Sequence, residues 1–400
     1  MNQIFNLQKA DYAIRYAQVL NPDPSKVHVL FIACYANGTG LYSSIIPAME
    51  LNKTSTHQAI VNQIEEPTPQ KQSNGFDVQI NDSILMWADY IMFNTSFHDL
   101  QADIKNIKET NKKPNLKFGM HIDDNYHISM HGENAQAAEK RRSQLLINLA
   151  AVDIVTSPSV ELIDYYANLL TQNGYDLPQF QFLPNLMSND YYVADGVTIT
   201  EPKPPKLQIG MQLNPTQFLD LAPMRKVMLE ILKKYSDKVE FVLFGWDGVK
   251  AKVNALQGVK FKHVKTVSIQ QYFKTLANLR LDFVLMPLLD NEFNRCKSHH
   301  KLLQYAQLGI PAIVSNVKPY TDIIAKQGET IYAPGKIPAV KCNNNPDDWI
   351  AKIEFMISNE GARKKMAEGA NLAVQQLYTW HTNTDLLLDI FPKVLENPKK

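Results

Sequence analysis

The stretch Leu281–Tyr320 reads L-D-F-V-L-M-P-L-L-D-N-E-F-N-R-C-K-S-H-H-K-L-L-Q-Y-A-Q-L-G-I-P-A-I-V-S-N-V-K-P-Y. Phe283 to Pro287 is a short apolar run and reads as a buried strand. From Ser298 to Leu308, the residues Leu302, Leu303, Ala306 and Leu308 recur at helical spacing. Gly309 stops that helix and Pro311 prevents its return. Ala312 to Ser315 reads as a second buried strand. A strand, a helix and a strand in this order imply a parallel sheet. The polar loop before the helix carries Arg295, Lys297, Ser298 and Lys301. Backbone N–H groups at a helix start, with cations beside them, favour a phosphate. The unit is expected to hold a phosphorylated ligand at the carboxyl end of its sheet.

Outward from this unit, a chain of 400 residues suits two domains. Its 45% hydrophobic and 20% charged content is ordinary for a soluble globular protein, so sizeable cores are expected. A formal net charge of +1 gives no global pull toward nucleic acid or an anionic membrane. Cys34, Cys296 and Cys342 are widely spaced and suggest neither a disulfide framework nor a zinc site. There is no signal-peptide pattern and no apolar run of transmembrane length. The expected location is cytoplasmic, in the host cytoplasm if the source is viral.

Taken in order, residues 6–20 read as an amphipathic helix and Val27 to Ala33 as the first strand. A glycine loop follows, Tyr35-Ala36-Asn37-Gly38-Thr39-Gly40-Leu41, and then a helix from about Tyr42 to Leu51. The loop lacks the full G-x-G-x-x-G spacing, so a dinucleotide is not indicated. Strands are read at 88–94, 116–122 and 152–157, with helices at 98–111, 134–150 and from 158 to about 170. The second strand of that set runs into Asp123-Asp124-Asn125-Tyr126-His127. The polar, proline-rich segment 190–206 reads as a linker. The second domain opens with a strand at 207–212 and the loop Leu213-Asn214-Pro215-Thr216-Gln217-Phe218-Leu219-Asp220. A strand at 239–244 ends at Gly245-Trp246. A short strand is read at Glu329 to Tyr332, helices at 346–358 and 360–377, and a helical tail from Trp380 to Leu395.

The sharpest motif in the opening stretch is Phe293-Asn294-x-x-Lys297-Ser298, followed by Lys301 and the run Gln304 to Pro311. It resembles the F-N-x-x-K-S and E-Y-A-x-x-G-I-P pattern in the C-terminal domain of GT-B fold glycosyltransferases of the retaining type. That resemblance implies an α/β protein with two Rossmann-like domains facing a cleft. Residues 1–195 would bind the acceptor and 206–375 the nucleotide sugar, with a helix at 376–400 returning to the first domain. The larger retaining group carries a Glu-x7-Glu pair here. Aligned on Gly309-Ile310-Pro311, the two acids fall on Cys296 and Gln304, so both are absent from this sequence.

What the resemblance implies for the site is specific. Lys297, Ser298, Lys301 and Arg295 would hold the diphosphate, with Lys297 acting on the leaving group. Asn214 and Thr216 would lie near the donor phosphates, Gly245 near the base, and Gln304 would offer an amide to a ribose hydroxyl. Gly38 and Gly40 would face the cleft. Asp123 and Asp124 would contact the sugar or orient the acceptor. No cofactor beyond the nucleotide sugar and no metal are expected. The Asn214 to Asp220 set reads equally well as helix caps and a turn. The expected activity is transfer of a sugar, with retention, to a saccharide or other glycan precursor. Two alternatives stay open. Basic stretches at Lys105, Lys108, Lys112, Lys113, Lys117 and at Lys140-Arg141-Arg142 allow a hydroxylated DNA base as acceptor. The missing acid pair allows a non-catalytic nucleotide-sugar-binding module. Oligomeric state is not legible.

Overall fold

A computed structural model describes residues 22–32, 38–62, 82–128, 135–189, 199–214, 218–245, 256–324 and 336–393. The chain divides into two compact units, residues 1–191 with 383–400, and residues 192–382. Among the described residues, no helix is long and apolar enough to cross a membrane. The expected helix at 6–20, the expected strand at Glu329 to Tyr332, and Cys34, Thr216 and Trp246 lie outside the described residues.

The first unit is a six-stranded parallel sheet: β1 (Val27–Ile32), β2 (His57–Asn62), β3 (Tyr90–Phe93), β4 (Lys117–His121), β5 (Ile154–Ser157) and β6 (Gln179–Phe182), in the spatial order β2-β1-β3-β4-β5-β6. Every residue of β1 and β3 is buried. Continuous apolar runs of this kind mark strands covered on both faces. The covering helices include α1 (Ile46–Leu51), α2 (Asp82–Trp87), α3 (Leu100–Thr110), α4 (Ala135–Ala151) and α5 (Val160–Gln172). Before α1 come a helical turn, Gly38–Gly40, and a π-helical turn, Leu41–Ile45. Side-chain caps start two of these helices. Asp99 accepts from Gln101 N and Ala102 N at α3, and Ser159 accepts from Leu162 N at α5.

The second unit is also a parallel sheet: β7 (Leu207–Leu213), β8 (Val239–Gly245), β9 (Lys262–Lys265), β10 (Phe283–Met286), β11 (Ala312–Ser315) and β12 (Val340–Cys342). Its spatial order is β12-β11-β10-β7-β8-β9, which is the 3-2-1-4-5-6 order of Rossmann sheets. Its helices are α6 (Phe218–Leu221), α7 (Met224–Tyr235), α8 (Ile269–Asn278), α9 (Glu292–Arg295), α10 (His300–Gln307), α11 (Pro346–Ser358) and α12 (Glu360–Leu377). Gly210, at the middle of β7, makes room for the Leu281 and Val284 side chains. A Cβ there would sit 2.4 Å from Leu281 Cδ1 and 3.0 Å from Val284 Cγ1. Gly309 ends α10 with φ +66, the left-handed conformation that glycine adopts without steric cost.

Four differences from the sequence reading stand out. The helix expected at 298–308 starts only at His300. The residues before it, expected as loop, include the extra turn α9, capped by the Asn291 side chain on Asn294 N. The tail is not one helix from Trp380 to Leu395. It is a 3-10 turn, Trp380–Thr382, followed by α13 (Thr384–Ile390). Strands β2, β9 and β12, all at sheet edges, were not legible, since polar residues (His57, Gln58 and Asn62 in β2, Lys262, His263 and Lys265 in β9, Lys341 in β12) break up their apolar runs.

From residue 383 the chain belongs to the first unit. Phe391 meets the rings of Tyr90 and Phe31 edge-on, at 5.4 and 6.0 Å. His57 Nε2 lies 2.8 Å from Phe391 O, and Tyr90 OH donates to Pro392 O at 2.7 Å. Burial pushes the Tyr90 phenol up to about 12.

Candidate functional site

In the second unit the strand order reverses between β7 and β10, and the crevice at the carboxyl ends of those strands is where open α/β sheets take ligands. Gln212 and Asn214 leave β7 there, and Pro287 and Leu288 leave β10. The loop after β10 is braced on both sides. Leu288 N–H donates to Ser315 Oγ, and Leu289 N–H donates to Asp220 Oδ1, each at 2.8 Å.

Asp220 is the hub of this end. It is 3% exposed, and its Oδ1 also accepts from Asn294 Nδ2 at 2.9 Å. Asn294 donates in turn to Leu289 O at 2.9 Å. The Phe293-Asn294 half of the motif is therefore a clamp that fastens α9 to α6 and to the β10 loop. A cavity of about 20 Å³, room for a single water, lies beside Asp220 between Gln212, Met286, Lys301, Tyr305 and Tyr320. Burial raises the Asp220 pKa, while the Leu289 N–H, the Asn294 amide and the charges of Lys297 and Lys301 act to lower it. Both lysines thus share one field with the buried carboxylate.

The loop between α9 and α10 carries the rest of the motif. Lys297 Nζ lies 4.2 Å from the centroid of the Phe293 ring, a cation–π contact that holds the ammonium in place. Ser298 Oγ is 2.8 Å from His300 Nδ1. Burial, together with the positive charges of Lys301, His299 and Lys297, pushes His300 down to about 3. The imidazole is neutral near pH 7, and the field around it is positive, as an anion site requires.

The other expected donor residues divide. Lys301 reaches the Asp220 cavity. Gln304 is buried, and its Oε1 accepts from Tyr272 OH at 2.9 Å, a hydroxyl that also sits 2.9 Å from Gln212 Oε1. Cys296, at the other absent-acid position, is 3% exposed. Arg295 stands apart from the lysines. It is the last residue of α9, and its Nε lies 2.7 Å from Asp290 Oδ1, both side chains being 53% exposed. Asn214 is half-buried directly after β7. Gly245 ends β8 with φ +123, and its carbonyl lies 3.3 Å from His263 Nε2.

The first unit assembles a different set at its own carboxyl ends. Asp123, after β4, accepts from Thr39 Oγ1 at 2.7 Å and from Tyr126 OH at 2.8 Å. Thr39 sits between Gly38, which is exposed, and Gly40, which is buried. The glycine turn is thereby tied to the end of β4 through Asp123. Asp124 is half-buried beside it and accepts from Asn125 N at 3.2 Å. At the end of β3, Asn94 accepts from Ser43 Oγ at 2.5 Å and donates to Ser44 Oγ at 3.1 Å. Burial pushes His121 down to about 4, against the opposing charge of Asp123, and lifts the Tyr126 phenol well up. His127 also falls to about 4, through burial and the charge of Arg142.

Among the described residues, no three or more His, Cys, Asp or Glu side chains are grouped to hold a metal ion. The basic stretches do not form a uniform cationic face. Lys113 pairs with Asp89 at 2.7 Å, Lys117 with Asp153 at 2.9 Å, and Lys108 lies over the Phe118 ring. Sequence reasoning did not single out Gln212, Tyr272 and Tyr320, and it met Tyr305 only as one residue of the Gln304 to Pro311 run, with no role given to it. Asp220 was legible in the sequence in two ways, as part of a cap-and-turn set and, by the resemblance, as the Asp of an Asp-Leu pair near the donor phosphates.

The sequence matches no protein-family model and no curated protein. Solved structures do share the fold. HepE from Anabaena, determined in complex with UDP-glucose, superposes with a TM-score of 0.56 at 12% identity, over 92% of this chain and 100% of that one. Sucrose-phosphate synthase from Thermosynechococcus elongatus gives 0.55 at 10% identity, over 91% and 97%. TarM gives 0.51 at 14% identity over 76% of this chain, which spans about half of TarM's length, 55%. The likeness is one of fold, and it is the GT-B fold of two Rossmann-like domains.

Proposed function

We propose that this chain is a glycosyltransferase that moves a sugar from a nucleoside-diphosphate sugar to an acceptor hydroxyl, with retention of configuration. The observation that carries the reading is the pair Lys297 and Lys301, which flank neutral His300 in the chain and share the field of the buried Asp220 at the switch point of a 3-2-1-4-5-6 sheet. As the glycosidic bond breaks, negative charge grows on the diphosphate. Cations already fixed in place stabilise that charge more in the transition state than in the ground state. Asp220 holds the loops that present those cations and does not itself take part in the bond change.

The acceptor side of the reading rests on the first unit. Asp123, held between Thr39 and Tyr126, leaves each oxygen with a remaining lone pair for a sugar hydroxyl. A saccharide or glycan precursor is the acceptor this favours. A second reading has one observation behind it. Cys296 and Gln304 are buried where the larger group has acids, and the amide oxygen of Gln304 is occupied by Tyr272. A binding module that holds the donor without turning it over would tolerate this.

A thermal-shift series over UDP-glucose and other nucleotide sugars tests the donor. A ligand at about a hundred times its Kd raises apparent stability by about 2.7 kcal/mol. Proton NMR of the glycoside formed with a saccharide acceptor then separates the two readings and reports the anomer. No shift with any nucleotide sugar would remove the proposal. A shift without turnover, across a panel of saccharide acceptors, would favour the module.

A further inference from the structure

At the other end of the second sheet, where Leu281 leads into β10 and Ile310 leads into β11, lies a second and larger cavity of about 410 Å³. That size is within the range of small-molecule sites, about 300–1,000 Å³. Ile199, Leu281, Leu308 and Ile310 give it apolar walls. It lies at the amino ends of the strands, away from Asp220 and Lys301 at the carboxyl ends.

The polar groups of this cavity are unequal in sign. Arg280 lines it and is half-buried. Among the described residues no hydrogen bond or ion pair reaches its guanidinium. Its backbone takes φ +54, the single positive-φ non-glycine conformation among the described residues. Glycine would fill that position without steric cost. The neighbouring carboxylate is already satisfied, since Asp282 accepts from Lys203 Nζ at 2.8 Å and from Gln208 N at 2.9 Å. The helix-end carbonyls are occupied too. Gly309 N–H donates to Ala306 O and Ile310 N–H to Tyr305 O, while Asn371 Nδ2 donates to Gln307 O at 2.7 Å. Gln307 Oε1 accepts from Gln375 at 3.0 Å, which leaves its amide N–H groups as further donors. Lys203, Asn371, Gly309 and Ile310 spend their donors within the protein, which leaves the Arg280 guanidinium and the Gln307 amide as the cavity's open donors among the described residues.

We propose that this cavity is a second ligand site, for a small organic anion whose phosphate or carboxylate head meets Arg280 and whose apolar body meets the aliphatic walls. It stands apart from the donor reading and does not depend on it. Calorimetric titration of the full chain with phenyl phosphate, phenylacetate and the neutral benzyl alcohol tests it. At least one of the two anions is expected to saturate the site, at least tenfold more tightly than the alcohol, and the pair reports which head is preferred. Arg280→Gly should weaken the anion at least tenfold while keeping or raising Tm, because glycine accepts the left-handed backbone. Arg280→Gln, which keeps a long side chain, reads the same loss if the glycine variant is unstable. Lys301→Ala should leave the affinity unchanged, and UDP should not displace the probe. The proposal is overturned if no anion saturates by about 10 mM, if benzyl alcohol binds equally well, if both Arg280 variants keep the affinity, or if UDP competes.

Discussion

The carboxyl ends of the two sheets invite comparison, because the same architecture there carries opposite chemistry. In the second unit a carboxylate is buried, and two lysines, one before α10 and one in its first turn, share its field. In the first unit the half-buried carboxylate of Asp123 is held by two hydroxyls, from Thr39 and Tyr126, in an aromatic setting. On the proposed reading, the cationic end takes the diphosphate. The other suits neutral hydroxyls, since an anion beside Asp123 would meet like charge. The sheet supplies a crevice in each unit, and the residues that follow its strands, on loops and in first helical turns, choose the sign.

The largest expected effect is at Asp220. Asp220→Ala leaves Leu289 N–H and the Asn294 amide without their buried acceptor. Hydrogen bonds to a charged group contribute roughly 1.5–3 kcal/mol, so denaturant unfolding should report a loss of about 3 kcal/mol, and the nucleotide-sugar thermal shift should disappear. A variant as stable as the parent would show that the hub is not what holds this end together.

Lys297→Ala comes next. If its contact strengthens as the phosphate leaves, steady-state kinetics should show kcat lower by about tenfold to a hundredfold with the fold intact. A rise in KM with kcat kept would mean that Lys297 acts only on the ground state. Lys301→Ala should show a smaller effect. Unchanged constants in folded Lys297→Ala would erase the contrast between the two ends.

The pH dependence is a milder test and involves both units. His121 falls to about 4 and His300 to about 3, from an ordinary value of 6.5. The folded state keeps them neutral, so their contribution is complete above 6.5. It is lost as pH falls toward the folded values, where the unfolded chain binds protons that the folded chain does not. Asp220, raised by burial, works in the opposite sense but from a reference of 3.8. Tm should therefore drop between about pH 7 and about pH 5, and a flat Tm across that interval would contradict the neutral, buried histidines.

Two null effects close the series. Donor turnover should survive chelation, because cationic side chains, not a metal, are assigned to the diphosphate. Activity abolished by a chelator and restored by a divalent ion would turn Asp123 and Asp124 into ligands and reverse the first half of the comparison. Arg295→Ala should leave kcat, KM and Tm unchanged, since its exposed pairing with Asp290 contributes little. A large loss there would extend the cationic site to a third side chain.

Much of the fold was legible because burial leaves a periodic trace. The helices read at 346–358 and 360–377 coincide with α11 and α12. The run Phe283 to Ser315 folds as the expected parallel unit, with Gly309 at the helix end. What failed was local and cheap in energy. The strand Lys-His-Val-Lys of β9 sits at a sheet edge with mostly exposed or half-exposed residues, so no apolar pattern marks it. Glu292–Arg295 closes a single capped turn, too short to show a period.

The sequence by itself determined that this chain builds two α/β halves, and that Lys297, Ser298 and Lys301 cluster before and at the start of a helix that follows a strand's carboxyl end. Apolar spacing and glycine placement are local properties, and they survive without any knowledge of neighbours. Only the tertiary structure decided which polar residues work together. Asp220 in α6 and Asn294 in α9 are 74 residues apart and meet through a buried hydrogen bond. Arg295, two residues before Lys297, is bound instead to Asp290 on the surface. Gln304, offered by its position to a ribose, gives its oxygen to Tyr272. A buried polar group must find its partner from whatever segment the fold brings within about 3 Å, and no spacing along the chain encodes that choice.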